Sequence, residues 1–145
     1  AYASLEEHQT AIHYFEIGLT FDLDPRLEYV QTMVQSYGYS LLALKQYQKA
    51  LSFTGIYDAF ATNADFIFLM GLIYMNNAMF SEAIAEFDKA SLFKTCIVDG
   101  TNSYRASYNK GVILECLGRL PAAIKNYQAC GSFQPALARL EVLLS

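Results

Sequence analysis

The sequence of 145 residues has no long apolar run: its most hydrophobic stretch, Phe66 to Met75, is interrupted by Gly71 and closed by Asn76-Asn77. A membrane-spanning helix needs roughly 18 or more apolar residues in succession, so this stretch predicts a buried helix and no membrane span. The first residues, Ala1-Tyr2-Ala3-Ser4-Leu5-Glu6-Glu7, lack the basic flank and apolar segment of a secretory signal, and a cytoplasmic protein is expected. Basic residues are few and scattered, ten Lys and Arg against fourteen Asp and Glu, for a formal charge of −4. Counterion release from a phosphate backbone needs a clustered basic surface, so no nucleic-acid partner is expected. Cys96, Cys116 and Cys130 are odd in number and form no Cys-x-x-Cys pair. Neither a disulfide framework nor a zinc site is signalled, which leaves reduced, packed thiols.

Catalytic patterns are missing too: there is no phosphate-cradling glycine loop, nucleophile elbow or zinc-protease motif. Asp22-Leu23-Asp24 has the spacing of a metal-binding pair found in many glycosyltransferases. Such a pair needs a strand end beside a nucleotide pocket, whereas this one closes a helical pattern ahead of Pro25. His8 and His13 are turned from each other by about 140° on a helix and cannot readily share a metal. No catalytic residue, metal or cofactor is expected, and the chain is read as not itself an enzyme.

What the chain does have is a repeat. Gly38, Gly71 and Gly111 are each followed twelve residues later by an alanine and an aliphatic residue: Ala50-Leu51, Ala83-Ile84 and Ala123-Ile124. A fixed offset of this kind means one supersecondary unit copied and stacked, which points to a binding surface before a catalytic pocket. Each copy resolves into two helical patterns. Phe66, Ile67, Met70, Gly71 and Tyr74 recur at helical spacing, Asn76-Asn77-Ala78 breaks the period, and Phe80, Ala83, Ile84, Phe87 and Ala90 resume it. The next copy repeats this with Gly111 and Leu114, a turn at Gly118, then Leu120, Ala123, Ile124, Tyr127 and Cys130, with Pro121 tolerated in a first helical turn. Small residues at Gly71 and Ala83 are expected to let two helices approach while Tyr74 and Phe87 fill the flanks.

On these residues the chain resembles the tetratricopeptide repeat family, whose unit of about 34 residues is a pair of antiparallel helices. The resemblance implies an all-α, right-handed solenoid of antiparallel helix pairs with a C-terminal capping helix. The expected organisation is one domain over 1–145: a partial repeat at 1–25, repeats at 26–60, 63–93 and 103–131, an inserted loop at 94–102 and a capping helix at 135–144. Residues 63–93 match the family pattern nearly throughout, and Tyr108-Asn109-Lys110-Gly111 looks like its opening motif. The 26–60 copy departs at Thr54 and Tyr57, where an aromatic and a small residue belong, so its second helix is expected to bend or pack differently. Residues 1–25 carry only a second half, with Tyr2, Ala11-Ile12, Phe15 and Gly18, so the chain reads as a fragment of a longer protein.

In such arrays the first helices line a concave groove. By resemblance the groove residues here are Gln35, Tyr39, Leu42, Phe68, Leu72, Met75, Tyr108, Val112 and Glu115, with Arg105 and Glu115 as rim charges and Phe68 as the central anchor. The groove is therefore expected to be apolar and aromatic, though any one of these aromatics could equally be packed core. Family members that clamp a terminal carboxylate use Lys and Asn at these positions. Neither residue occupies them here, so that partner class is not expected. The surplus between Gly71 and Gly111, 40 residues against 33 between Gly38 and Gly71, falls at 94–102. It is either a functional loop or a tolerated spacer. After Gly131, Leu137, Leu140 and Leu144 form one apolar face on a last helix that begins near Pro135. This helix is expected to cap the array or, alternatively, to contact another chain.

A second resemblance runs from Phe93-Lys94 through Tyr108-Asn109-Lys110-Gly111 to Pro135-Ala136-Leu137-Ala138-Arg139-Leu140. This stretch looks like the tetratricopeptide tails that follow a bacterial inverting glycosyltransferase domain. It implies a tail that orients or dimerises a nucleotide-sugar transferase whose catalytic residues lie elsewhere in a parent protein. The primary expectation is a scaffold that binds a protein or peptide segment, or a neighbouring domain of its parent. Self-association through the repeat ends, giving a homodimer, is a third.

Overall fold

The structure, a computed structural model, describes residues 24–145, among which all regular structure is helical. Tyr2, Ala11, Ile12, Phe15 and Gly18 of the partial repeat, the His8 and His13 pair, and Asp22 lie outside the described residues. Among the described residues no helix is long and apolar enough to cross a membrane. The chain divides into two compact units, residues 1–62 and 63–145.

In the first unit a turn over Asp24–Leu27 leads into α1 (Glu28–Ala43). Pro25 sits second in the turn, where its fixed φ suits, and the Leu27 N–H donates to the Asp24 carbonyl at 3.2 Å. The Asp24 carboxylate accepts from the Arg26 backbone N–H at 2.9 Å and from its guanidinium at 3.1 and 3.0 Å, which holds the carboxyl below its usual pKa. α1 buries Val30, Val34, Tyr37, Gly38 and Leu41.

The helix that follows is broken into α2 (Tyr47–Ala50), a 3-10 turn (Leu51–Ile56) and α3 (Tyr57–Phe60). The cause lies in the spacing. Phe87 and Tyr127 come four residues after Ala83 and Ala123, but Phe53 comes three after Ala50. A 3-10 turn eclipses residues i and i+3, so tighter winding carries Phe53 onto the face of Ala50. Both are buried, and the Phe53 ring stacks on Tyr37 at 5.6 Å with an 11° interplanar angle. The departure read at Thr54 and Tyr57 thus takes the form of a change in helix type.

The second unit contains α4 (Ala64–Asn76), α5 (Phe80–Ala90), α6 (Tyr104–Cys116), α7 (Leu120–Gln128) and α8 (Gln134–Leu143). Each packs on the next in chain order from α4 to α8, apart from the loop between α5 and α6, which does not interrupt the sequence of contacts. α4 begins at Asn63, whose side chain accepts from the Phe66 N–H at 2.9 Å, a cap worth about 1 kcal/mol. From Ala64 to Gly71 every α4 residue is buried, as expected of a helix apolar on all sides. α6 and α7 run antiparallel: Tyr104 opens α6 and its carbonyl meets the Cys130 thiol just beyond the end of α7, while the Arg119 N–H at the start of α7 donates to the Leu114 carbonyl near the end of α6.

The same turn closes the first helix of every copy. Lys45, Ala78 and Gly118, each seven residues after the repeat glycine, take the left-handed conformation at φ 60°, 58° and 76°. In each case that residue donates to the carbonyl three back (Leu42, Met75, Glu115), and the next donates to the carbonyl five back (Leu41, Tyr74, Leu114), at 2.9 to 3.1 Å. This is the Schellman pattern, which satisfies the orphan carbonyls of a helix end and reverses the chain within three residues. Only the last copy uses glycine for it.

The joint between paired helices is also specific. Ala50, Ala83 and Ala123 are fully buried. A Cβ added at Gly71 would lie 2.5 Å from Phe87 Cε1, and one at Gly111 would lie 2.6 Å from Tyr127 Cε1. The glycine therefore receives an aromatic ring sixteen residues on, and Phe87 sits on Gly71 itself instead of on its flank.

Candidate functional site

The expected groove residues fall on one stripe of each first helix. In the first unit, Gln35 and Leu42 on α1 are half-buried and Tyr39 is 38% exposed. In the second unit the stripe on α4 is Phe68, Leu72 and Met75. Phe68 is buried, with its ring 5.4 Å from that of Phe87, whereas Leu72 and Met75 are half-buried. Phe68, expected as the central anchor, thus lies in the core of the described chain, and the side chains of that stripe that reach solvent are its neighbours one and two turns on.

On α6 the stripe of Arg105, Tyr108, Val112 and Glu115 meets the start and body of α8. The Tyr108 ring lies 5.8 Å from Tyr127 and 5.4 Å, edge-on, from Phe133. Val112 and Tyr108 pack against the cluster of Ala123, Tyr127, Cys130 and Ala136. Arg105 donates from Nε to the Asp99 carbonyl at 2.8 Å, with its guanidinium 5.9 and 6.0 Å from the Tyr104 and Phe133 rings.

Glu115 joins three helices. Its Oε1 accepts from Tyr127 Oη at 2.8 Å and from Arg139 Nε at 3.1 Å, and its Oε2 accepts from Arg139 Nη2. The Arg139 guanidinium, helped by the Tyr127 hydroxyl, holds the Glu115 carboxyl below the usual range, while burial and the facing carboxylate push the Tyr127 hydroxyl up. The expected rim charge is thus neutralised within the chain, and what it orients is α8.

The face of α8 differs from the one read in the sequence. Ala136, Leu140 and Leu143 turn inward with Phe133, whereas Leu137 and Leu144 are 39% and 61% exposed. Arg139, bonded to Glu115, lies on this same inward side, and Leu137 and Leu144 fall outside it.

The inserted segment 94–102 is tied down. Asp65, in the first turn of α4 and only 2% exposed, accepts from the Ile97 and Val98 N–H groups at 2.8 and 2.9 Å and from Thr101 Oγ1 at 3.1 Å. Asn102 donates to the Phe93 carbonyl at 2.9 Å, and Tyr104 Oη to Asp99 at 2.6 Å. With two loop amides spent on one carboxylate, Ile97 points outward at 73% exposure. An acid at the head of an apolar helix was the available signal for this clamp. Its partners lie more than thirty residues away, where no local pattern reaches.

An open depression of about 480 Å³ is lined by Tyr104, Cys130, Ser132, Phe133, Gln134 and Pro135. Burial pushes the Cys130 thiol up, and it donates to the Tyr104 and Asn126 carbonyls at 3.3 Å. A protonated, bonded thiol is a packing group. Among the described residues no group of three or more His, Cys, Asp or Glu could hold a metal ion. Comparison with models of known protein families, with curated proteins and with solved structures gives no match.

Proposed function

We propose that this chain is a tetratricopeptide-type, right-handed solenoid that binds an apolar segment of a protein partner on its first helices. The observation that carries the reading is the recurrence of one turn, with the same left-handed residue and the same two hydrogen bonds, at Lys45, Ala78 and Gly118. Three copies of one hairpin, each with a fully buried alanine at the same offset, are the building plan of a stacked array, whose function lies in its surface. On α4 the contact side chains are Leu72 and Met75, half-buried and aliphatic, with Phe68 supporting them from beneath.

The test is selection of peptides from a random library on the whole chain, followed by measurement on the variant Leu72→Asp/Met75→Asp. Selected peptides should be apolar and should lose about tenfold or more in affinity to the variant, since an acid at an apolar contact leaves a charge unpaired. Peptides that bind parent and variant equally would place recognition elsewhere.

A further inference from the structure

The inserted segment 94–102 lies on the groove stripe itself. Asp65 stands six residues before Gly71 and Arg105 six before Gly111, so each is one turn ahead of Phe68 or Tyr108 on the stripe that continues through Leu72 and Met75, or through Val112 and Glu115. Both side chains hold the segment. The Asp65 carboxylate accepts from the Ile97 and Val98 N–H groups and from Thr101 Oγ1, and Arg105 Nε donates to the Asp99 carbonyl. Two neighbouring first helices thus grip one loop from the same position of their stripes. In the first unit the corresponding residue of α1, Thr32, is exposed and lines an open depression of about 500 Å³ with Glu28 and Tyr29. Asp65, beneath the segment, is 2% exposed. The difference follows from length: 40 residues separate Gly71 from Gly111 against 33 between Gly38 and Gly71, a surplus of seven that supplies the cover.

The segment has a fixed stem and a removable span. Asn102 Nδ2 donates to the Phe93 carbonyl at 2.9 Å and closes the stem. Gly100, at φ 88°, packs against the Tyr104 ring, which a Cβ there would meet, and gives the span its hinge. Between Phe93 and Gly100 the chain is exposed apart from Cys96, which is half-buried. No apolar side chain of the span is therefore buried, and its attachment to α4 and α6 is polar. Such hydrogen bonds are exchanged for bonds to water or to a ligand when the span lifts, whereas buried apolar contacts would be lost outright. A segment with few buried apolar contacts opens locally while the helices beneath it stay closed.

We infer that residues 94–101 form an autoinhibitory strap, which occupies the groove over Asp65 and Arg105 and must lift to admit a partner segment across the first turns of α4 and α6. This rests on the groove reading proposed above and adds its regulation. With the strap down, the α4 stripe offers Leu72 and Met75 at its far end; with the strap lifted, the Asp65 end joins them. The observed affinity is then the intrinsic one reduced by the fraction of chains whose strap is open.

The experiment compares three forms of the whole chain: the parent, Asp65→Ala, and a form lacking residues 95–101, in which the Gly71 to Gly111 spacing becomes that of Gly38 to Gly71. The probes are random-library peptides selected on the parent that lose affinity to Leu72→Asp/Met75→Asp. They should bind both strap variants at least about tenfold more tightly than the parent, and at saturation should accelerate hydrogen exchange at the Ile97 and Val98 amides of the parent. Should the shortened form lose its helical circular dichroism, Asp65→Ala and the exchange measurement carry the comparison. Affinity for the parent equal to or above that for the variants, or exchange at those amides unchanged or slowed in the complex, would overturn the proposal. The two readings fail separately. Peptides indifferent to Leu72→Asp/Met75→Asp would overturn the groove and the strap together, while peptides that respond to that pair yet bind all three forms alike would overturn the strap alone.

Discussion

Gly71→Ala adds one methyl group at a joint with no room for it. The new Cβ would lie 2.5 Å from Phe87 Cε1 and 2.8 Å from Cδ1 and Cζ, contacts that real Cβ atoms do not make. The ring cannot swing away, since Phe87 is fully buried and packed against Phe68. Inserting a methyl group into a filled core costs about 1 to 3 kcal/mol. Against this, alanine is the better helix former by about 1 kcal/mol. The net expectation is a loss of about 0 to 2 kcal/mol, read from urea denaturation followed by circular dichroism. A second substitution isolates the cause. With Phe87→Leu in place the obstruction is gone, and the same Gly71→Ala step should become neutral or stabilising, a coupling of about 2 kcal/mol. Gly55→Ala is the control: no atom lies within 4 Å of its added Cβ and its φ is not left-handed, so a gain of about 0.4 to 1 kcal/mol is expected. If Gly71→Ala stabilises as Gly55→Ala does, or if its cost persists with leucine at 87, the ring-on-glycine joint is wrong.

Asp65→Ala should release the 94–102 segment, because it leaves two loop amides without their acceptor at a cost of about 3 kcal/mol, while the Thr101 hydroxyl keeps the Val98 carbonyl. Hydrogen exchange at Ile97 and Val98 should accelerate while the α6 amides keep their protection; unchanged exchange at those two amides would refute the clamp. The Glu115 carboxyl is held below its unfolded value, so its contribution is complete above the ordinary glutamate pKa of about 4.3 and is lost as pH falls through the lower, folded value. The melting temperature of the parent should exceed that of Glu115→Gln at neutral pH, and the gap should close in acid; a gap independent of pH would exclude the ion pair as its source.

Local chemistry is legible in this sequence. The offsets between Gly38, Gly71 and Gly111 and their alanines mark three helix pairs, and the break at Asn76-Asn77-Ala78 and the turn at Gly118 fall where the chain reverses. The second helix of the 26–60 copy was legible as a departure at Thr54 and Tyr57, but not as a 3-10 turn that brings Phe53 onto the face of Ala50. Lys45 and Ala78 were not legible as left-handed positions, since their side chains do not favour that conformation; the hydrogen bonds that close each helix hold them there.

The sequence by itself therefore determined that the chain is helical, where its hairpins turn and which small residues lie at their joints, all properties of neighbours within a few turns. Only the tertiary structure decided that Phe68 is core, that Asp65 binds a loop more than thirty residues away, and that Leu137 and Leu144 face outward. Each of those outcomes depends on which distant group arrives to meet a side chain. Periodicity on α8 offers more than one apolar stripe of similar quality, and the one that packs is the one whose Ala136, Leu140 and Leu143 meet the α6–α7 cluster and whose Arg139 meets Glu115.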